Sequence, residues 1–163
     1  MMYSIIVMES EKMKIYIATD HRGIDVEQKI VDYLSQIGIE TGRCEISHHE
    51  TDDYVDFAFD IANKVANDKN SLGILLCGTG IGMSIAANKI RGIRAARCVN
   101  VDDAYYSKCH NNANIICLSS QIEINYLFEI IDTFINTKPA EEEKHIRRVE
   151  KIINFENGAY NEL

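Results

Sequence analysis

The sequence predicts an α/β protein, a doubly wound, Rossmann-like parallel sheet of five strands sandwiched by helices in a single domain. Three observations carry this. Short β-rich runs alternate with segments of helical periodicity along the chain. The central run, Gly73-Ile74-Leu75-Leu76, is apolar without interruption, as suits a strand covered on both faces. No repeat, linker or low-complexity tract marks a second domain.

Lys14 to Thr19 (KIYIAT) opens the pattern as a strand ending at polar Asp20-His21. Val26, Ile30, Tyr33, Leu34 and Ile37 then fall on one helical face, with Gly38 placed to terminate it. Ile39 to Cys44 reads as a second short strand. Asp52-Asp53 can cap a helix whose apolar face is Ala58, Ile61, Ala62 and Val65. Ile74 to Cys77 is the third strand, Ser84 to Ile90 a short helix, and Ile93 to Val99 the fourth strand. A helix over Asp102 to His110 leads to a fifth strand, Ile115 to Leu118. Two helices follow, about Gln121 to Asn136 and Ala140 to Phe155, with Pro139 between them. Right-handed crossovers between these elements wind the sheet both ways. Ligands in such sheets bind at the C-terminal edge, where Asp20-His21, Cys77-Gly78 and Val99-Asn100 emerge.

The 163 residues suffice for one domain with a real core. A formal net charge of -8 disfavours nucleic acid and anionic membranes as partners, while leaving room for a small anionic substrate at a local basic cluster. The five cysteines, Cys44, Cys77, Cys98, Cys109 and Cys117, are odd in number and contain no C-x-x-C, which points to reduced thiols in a cytoplasm. The apolar run from Tyr3 to Met8 is too short for a signal segment or a membrane span. Residues 1–12 are therefore read as an unstructured extension, residues 13–155 as the domain and residues 156–163 as a tail.

The chemistry gathers after the third strand. Cys77 stands at its C-terminal end, followed by glycines at alternate positions, Gly78, Gly80 and Gly82, and then a helix. A helix N-terminus favours the thiolate form of a nearby cysteine. The loop Gly78-Thr79-Gly80-Ile81-Gly82 offers main-chain N–H groups with few side chains in the way, a nest that can hold an oxyanion. A base beside an anion cradle is what removal of a proton next to a carbonyl requires. The plainer reading is a tight strand–helix connection with Cys77 as a small buried hydrophobe. A phosphate-binding P-loop would need a Lys-Ser/Thr pair that is absent, and a dinucleotide fingerprint would follow the first strand and carry glycine where Met83 stands.

Taken together, "ATDHRG", "GILLCGTGIGMSIAANKIRGIRAA" and "CHNNANI" resemble the type B ribose-5-phosphate isomerase family, which includes galactose-6-phosphate isomerase subunits and allose-6-phosphate isomerase. The resemblance covers about Met13 to Ile153. It implies interconversion of aldose and ketose phosphates through an enediolate, with no metal or other cofactor, in a homodimer or tetramer whose active sites lie at a subunit interface. Cys77 then matches the base that moves a proton between C1 and C2. Thr79 matches the hydroxyl beside it, and His110 the acid/base that opens the sugar ring. Asn111 matches a substrate-binding amide, and Asp20 and His21 the pair that contacts sugar and phosphate. Tyr54 resembles a tyrosine near the substrate, although Val55 replaces the proline that usually follows. The loop Gly78, Gly80, Ile81 and Gly82 matches the enediolate cradle. His110 as a helix C-terminal cap and Asp20 as an N-terminal cap remain the structural alternatives.

Two phosphate-gripping arginines of the family are altered. Gln121 stands at one position, and Lys144 at another within Lys144-His145-Ile146-Arg147-Arg148, where Arg148 keeps the last. Lysine keeps charge but loses the bidentate fork. The reading is a cytoplasmic ribose 5-phosphate isomerase, with a six-carbon sugar-phosphate isomerase or a non-catalytic sugar-phosphate-binding protein as alternatives. His48-His49-Glu50 lacks the spacing of a metal site and reads as a solvated loop.

Overall fold

The computed structural model describes residues 13–159, so the expectation for residues 1–12 and that for 160–163 of the tail lie outside the described residues. The strands are β1 (Lys14–Thr19), β2 (Glu40–Arg43), β3 (Ser71–Cys77), β4 (Ala95–Arg97) and β5 (Ile115–Ser119). The helices are α1 (Ile24–Gln36), α2 (Tyr54–Asn67), α3 (Ile81–Ala87), α4 (Val101–Asn111), α5 (Ile124–Asn136) and α6 (Glu143–Glu156). All strand pairings are parallel, in the order β2-β1-β3-β5-β4.

Successive side chains of a strand point to opposite faces, and each face here has its own core. Ile15, Ile17, Ile74, Leu76, Ile116 and Leu118 pack under α1, α4 and α5 through Ile30, Leu34, Ala104, Leu127, Ile131 and Phe134. Ala18, Leu75, Cys77, Ile115 and Cys117 pack under α2 and α3 through Phe57, Ile61, Met83 and Ala87. Every residue of β3 is buried, which is why that strand reads as apolar throughout. Burying a Leu, Ile or Phe of this kind contributes roughly 1.5–3 kcal/mol.

Local chemistry fixes the ends of the elements. Gly38 follows α1 with φ +80°, the left-handed conformation of a helix terminator. The Asn100 side chain accepts the Asp103 amide at the start of α4, and Glu123 accepts the Asn125 and Tyr126 amides at the start of α5. The structure departs from the sequence reading at several places. β3 begins at Ser71, three residues early, because Ser71 pairs with Lys14 of β1. α3 begins at Ile81 rather than Ser84, since left-handed Gly80 ends the loop and Gly82 is accommodated within the helix. α6 starts at Glu143, after the Ala140 amide has bonded the Cys109 carbonyl at 2.7 Å. Asp53, not Asp52, stands at the N-cap of α2, and its side chain makes no capping bond.

This winding positions the site. β1 leads through α1 to one edge of the sheet, while its neighbour β3 leads through α3 toward the other. Their connections leave on opposite faces, so a crevice opens between the C-terminal ends of β1 and β3.

Candidate active site

Cys77 is the last residue of β3 and is 6% exposed. Its Sγ accepts a hydrogen bond from the Gly80 amide at 3.1 Å. Gly80 has φ +74°, and a β-carbon there would stand 3.0 Å from the Cys117 carbonyl oxygen, so both torsion and space require glycine. The Ile81 amide donates to Thr79 Oγ1 at 3.3 Å, and Arg97 Nε donates to the Thr79 carbonyl at 2.8 Å. Ser119 Oγ holds the Gly78 carbonyl at 2.8 Å, and the Ser120 amide holds that of Cys77 at 2.9 Å. The glycine loop is thus tied to β5 and, through Arg97, to β4.

The other wall comes from β1 and the segment before α2. Buried Asp20 uses one carboxylate oxygen to accept the Arg22 amide at 3.0 Å. The Asp52 side chain is 2% exposed and joins two histidines: His21 Nδ1 lies 2.6 Å from one oxygen and His48 Nδ1 2.9 Å from the other. The His21 amide adds a third bond at 3.1 Å. Burial alone would raise the Asp52 pKa, but the hydrogen bonds from His48 and His21 outweigh it and hold the group at about 2. The His48 ring in turn stacks on Phe57, with centroids 4.8 Å apart. Tyr54, the first residue of α2, lays its ring against Gly82, where a β-carbon would meet it at 2.5 Å. These groups enclose a cleft of about 530 Å³ lined by Asp20, His21, Arg22, Tyr54, Cys77 and Thr79 among others. A second cavity of about 500 Å³ lies between β4 and the end of α6, but its lining has no thiol, imidazole or paired carboxylate.

Both the sequence and the fold match known proteins. The sequence model of the ribose/galactose isomerases matches residues 15–152. The chain belongs to the ribose/galactose isomerase family. It is 34% identical over 146 residues to ribose-5-phosphate isomerase B of Mycobacterium tuberculosis, covering 88% of this chain and 90% of that one. The solved ribose-5-phosphate isomerase B of Clostridium thermocellum superposes with a TM-score of 0.83 at 38% identity, over 90% of this chain and 99% of that one. That of Mycoplasma genitalium, solved with bound ribulose-5-phosphate, gives 0.83 at 38% identity, over 89% and 97%. The doubly wound sheet is therefore the fold of the ribose/galactose isomerases.

Within one chain of this ribose/galactose isomerase the expected site residues form two groups. Asp20, His21, Tyr54, Cys77, Gly78, Thr79, Ile81 and Gly82 meet in the cleft, and buried Gly80 supports it from behind through its bond to Cys77. Exposed Gln121 lies beside it, its amide donating to Ser119 Oγ at 3.2 Å. His110, Asn111, Lys144 and Arg148 do not meet them. His110 closes the last turn of α4, which starts at the C-terminal end of β4 and runs back to the opposite sheet edge. The rise of the helix from Val101 carries it about 14 Å along that axis. There the His110 ring stacks on His145 of α6, with centroids 4.0 Å apart, so that exposed Lys144 and Arg148 share its end of the molecule. Burial pushes the His145 imidazole below its ordinary value, and the nearby His110 adds to that.

Two residues of the cleft and one beside it escaped the sequence reading as parts of the site. Asp52 was legible only as a helix cap, and the structure corrects this, because the carboxylate that could have capped α2 is taken by two imidazoles. His48 stays exposed in its loop, as expected, while its ring bonds Asp52. Arg22 stood within "ATDHRG" without a role, yet it lines the cleft. Among the described residues no group of three or more His, Cys, Asp or Glu side chains gathers to hold a metal ion, and no helix is long and apolar enough to cross a membrane. Burial pushes the thiols of Cys98 and Cys44 up to about 11, and raises that of Cys117 as well.

Proposed function

We propose that this protein interconverts ribose 5-phosphate and ribulose 5-phosphate, with Cys77 as the base. The observation that carries the reading is the Cys77 sulfur, which faces a cleft and is hydrogen-bonded by the Gly80 amide. The thiolate removes the proton from C2 of the open-chain aldose. The C2–H electron pair forms the C1–C2 double bond, and the carbonyl pair moves onto O1. Main-chain amides of the glycine loop stabilise that developing oxyanion. Thr79 Oγ1, exposed beside Cys77, passes a proton between O2 and O1. The Cys77 thiol then returns its proton to C1, and ribulose 5-phosphate leaves. Atoms and electrons balance without an external oxidant or reductant. Ribulose-5-phosphate bound to the Mycoplasma genitalium relative supports this choice of substrate.

Opening the furanose ring needs a group that donates and accepts protons near neutrality, which histidine does. We assign this to His110, supplied by a second copy of the chain. The direction of α4 supports that assignment, because it places His110 at the sheet edge away from Cys77. Asn111, Lys144 and Arg148 would arrive with it, and with His21 they would hold the sugar and its phosphate. Five free thiols suit a reducing cytoplasm.

The test is complementation between two inactive variants. Cys77→Ala and His110→Ala proteins, mixed at equal concentration under subunit exchange, should recover about a quarter of wild-type turnover, since half of the dimers carry one intact site. No recovery, with exchange verified, would place both groups in one chain or remove one of them from the reaction.

A further inference from the structure

We propose that Arg22 is a phosphate-binding residue of the cleft, supplied by the same chain as Cys77; the proposal rests on the isomerase reading above. Within one chain, before Lys144 and Arg148 of the second copy proposed above arrive, the charges of the cleft are unfavourable to a sugar-phosphate dianion. Asp20 and Asp52 both line it, and Asp52 stays ionised. His21 is committed to Asp52 at 2.6 Å, so any charge it carries is answered there. Gln121, at the rim beside the glycine loop, is neutral. Among the described residues, Arg22 is the one lysine or arginine in the cleft lining.

Its placement fits the task. The Arg22 amide is fixed by Asp20 at 3.0 Å, which sets the direction of the residue as it leaves β1. The side chain lies across Gly78: Nη1 is 3.3 Å from the point where a β-carbon on that residue would stand. Gly78 thus keeps the space the guanidinium occupies. Among the described residues no carboxylate forms an ion pair with Arg22, which leaves its fork unspent. Ser119 Oγ bridges the Gly78 carbonyl and the Gln121 amide, so positions 22 and 121 flank the same glycine. A guanidinium at either position would approach the same region of the cleft mouth. A planar fork presenting two N–H groups suits a phosphoryl group better than a point charge does.

The experiment compares wild type with Arg22→Ala, Arg22→Gln and Arg22→Ala/Gln121→Arg, and folding is checked by thermal melting. Steady-state turnover of ribose 5-phosphate is measured beside inhibition by inorganic phosphate. Both single variants should raise KM about 10–100-fold and weaken phosphate inhibition by a similar factor, with the loss falling on KM rather than kcat. The Gln121→Arg change should restore a large part of both. KM and phosphate inhibition within about twofold of wild type in the folded variants would overturn the assignment. If the wild-type protein turns over no sugar phosphate, the isomerase reading fails instead. Calorimetric titration of inorganic phosphate into wild type and the variants would then still decide whether Arg22 binds it.

Discussion

His21 Nδ1 lies 2.6 Å from a carboxylate oxygen of Asp52, a side chain that solvent barely reaches. The two residues are far apart in sequence, and the contact fixes the segment before α2 against the end of β1. It also shapes the cleft, since His21, Asp52 and Tyr54 all line it.

The Asp52 carboxyl therefore links stability to pH. Its pKa falls from an ordinary 3.8 to about 2 in the folded protein, so the unfolded chain binds the proton more readily. The resulting stabilisation is fully present above the unfolded value, near pH 4, and is lost as pH falls through about 2. Its size is about 2 kcal/mol at ~1.4 kcal/mol per unit. Urea unfolding between pH 2 and 5 should show this rise in wild type, and Asp52→Asn should flatten that part of it.

Gly82 leaves room for the Tyr54 ring, which a β-carbon would meet at 2.5 Å. Gly82→Ala should push the ring out of its place in the cleft wall, at little net cost to stability, because the exposed ring can swing away and alanine favours the helix by about 0.5–1 kcal/mol. Gly82→Ala/Tyr54→Ala should be less destabilised than the sum of the two single changes. Additivity in a double-mutant cycle of chemical denaturation would contradict this contact.

Gly80→Ala meets two penalties at once, a left-handed torsion and a 3.0 Å approach to the Cys117 carbonyl. The torsion alone costs about 1–2 kcal/mol. Because the Gly80 amide is also the donor to Cys77 Sγ, turnover should fall by more than the loss of folded protein explains. Activity normalised to the folded fraction checks this. An unchanged normalised rate would mean that the amide does not serve the thiolate.

Thiol reactivity should single out the thiol that faces the cleft. Cys44 and Cys98, both pushed up to about 11, and deeply buried Cys117 should resist iodoacetamide near neutral pH, while Cys77 should react and be protected by sugar phosphate. Peptide mass mapping after partial labelling reads this directly. Label at Cys98 or Cys117 before Cys77 would argue against an accessible catalytic thiol.

Much of this architecture was legible in the sequence because the signals were local. β1 falls on KIYIAT as expected, and the apolar face of α1 is the one that buries Ile30 and Leu34. The fold and the glycine loop follow from periodicity and from a motif in one continuous stretch. What was not legible depends on residues far apart in sequence. Asp52 looks like a capping residue until His21 and His48 approach it. Arg22 becomes part of the cleft only when β1 and β3 lie side by side. The start of α3 was missed because glycine at position 82 reads as loop, while its reason for being glycine is the ring of Tyr54. That His110 and Cys77 sit at opposite sheet edges follows from the direction of α4, which pattern alone does not connect to the site.

The most direct measurement is the turnover of ribose 5-phosphate by Cys77→Ala, made beside its substrate affinity and melting temperature. A positioned base contributes about 10²–10⁴-fold, so kcat should fall by at least that much while the variant melts like wild type and still binds substrate. Turnover within a few-fold of wild type in a folded variant would mean that the proton is taken by another group.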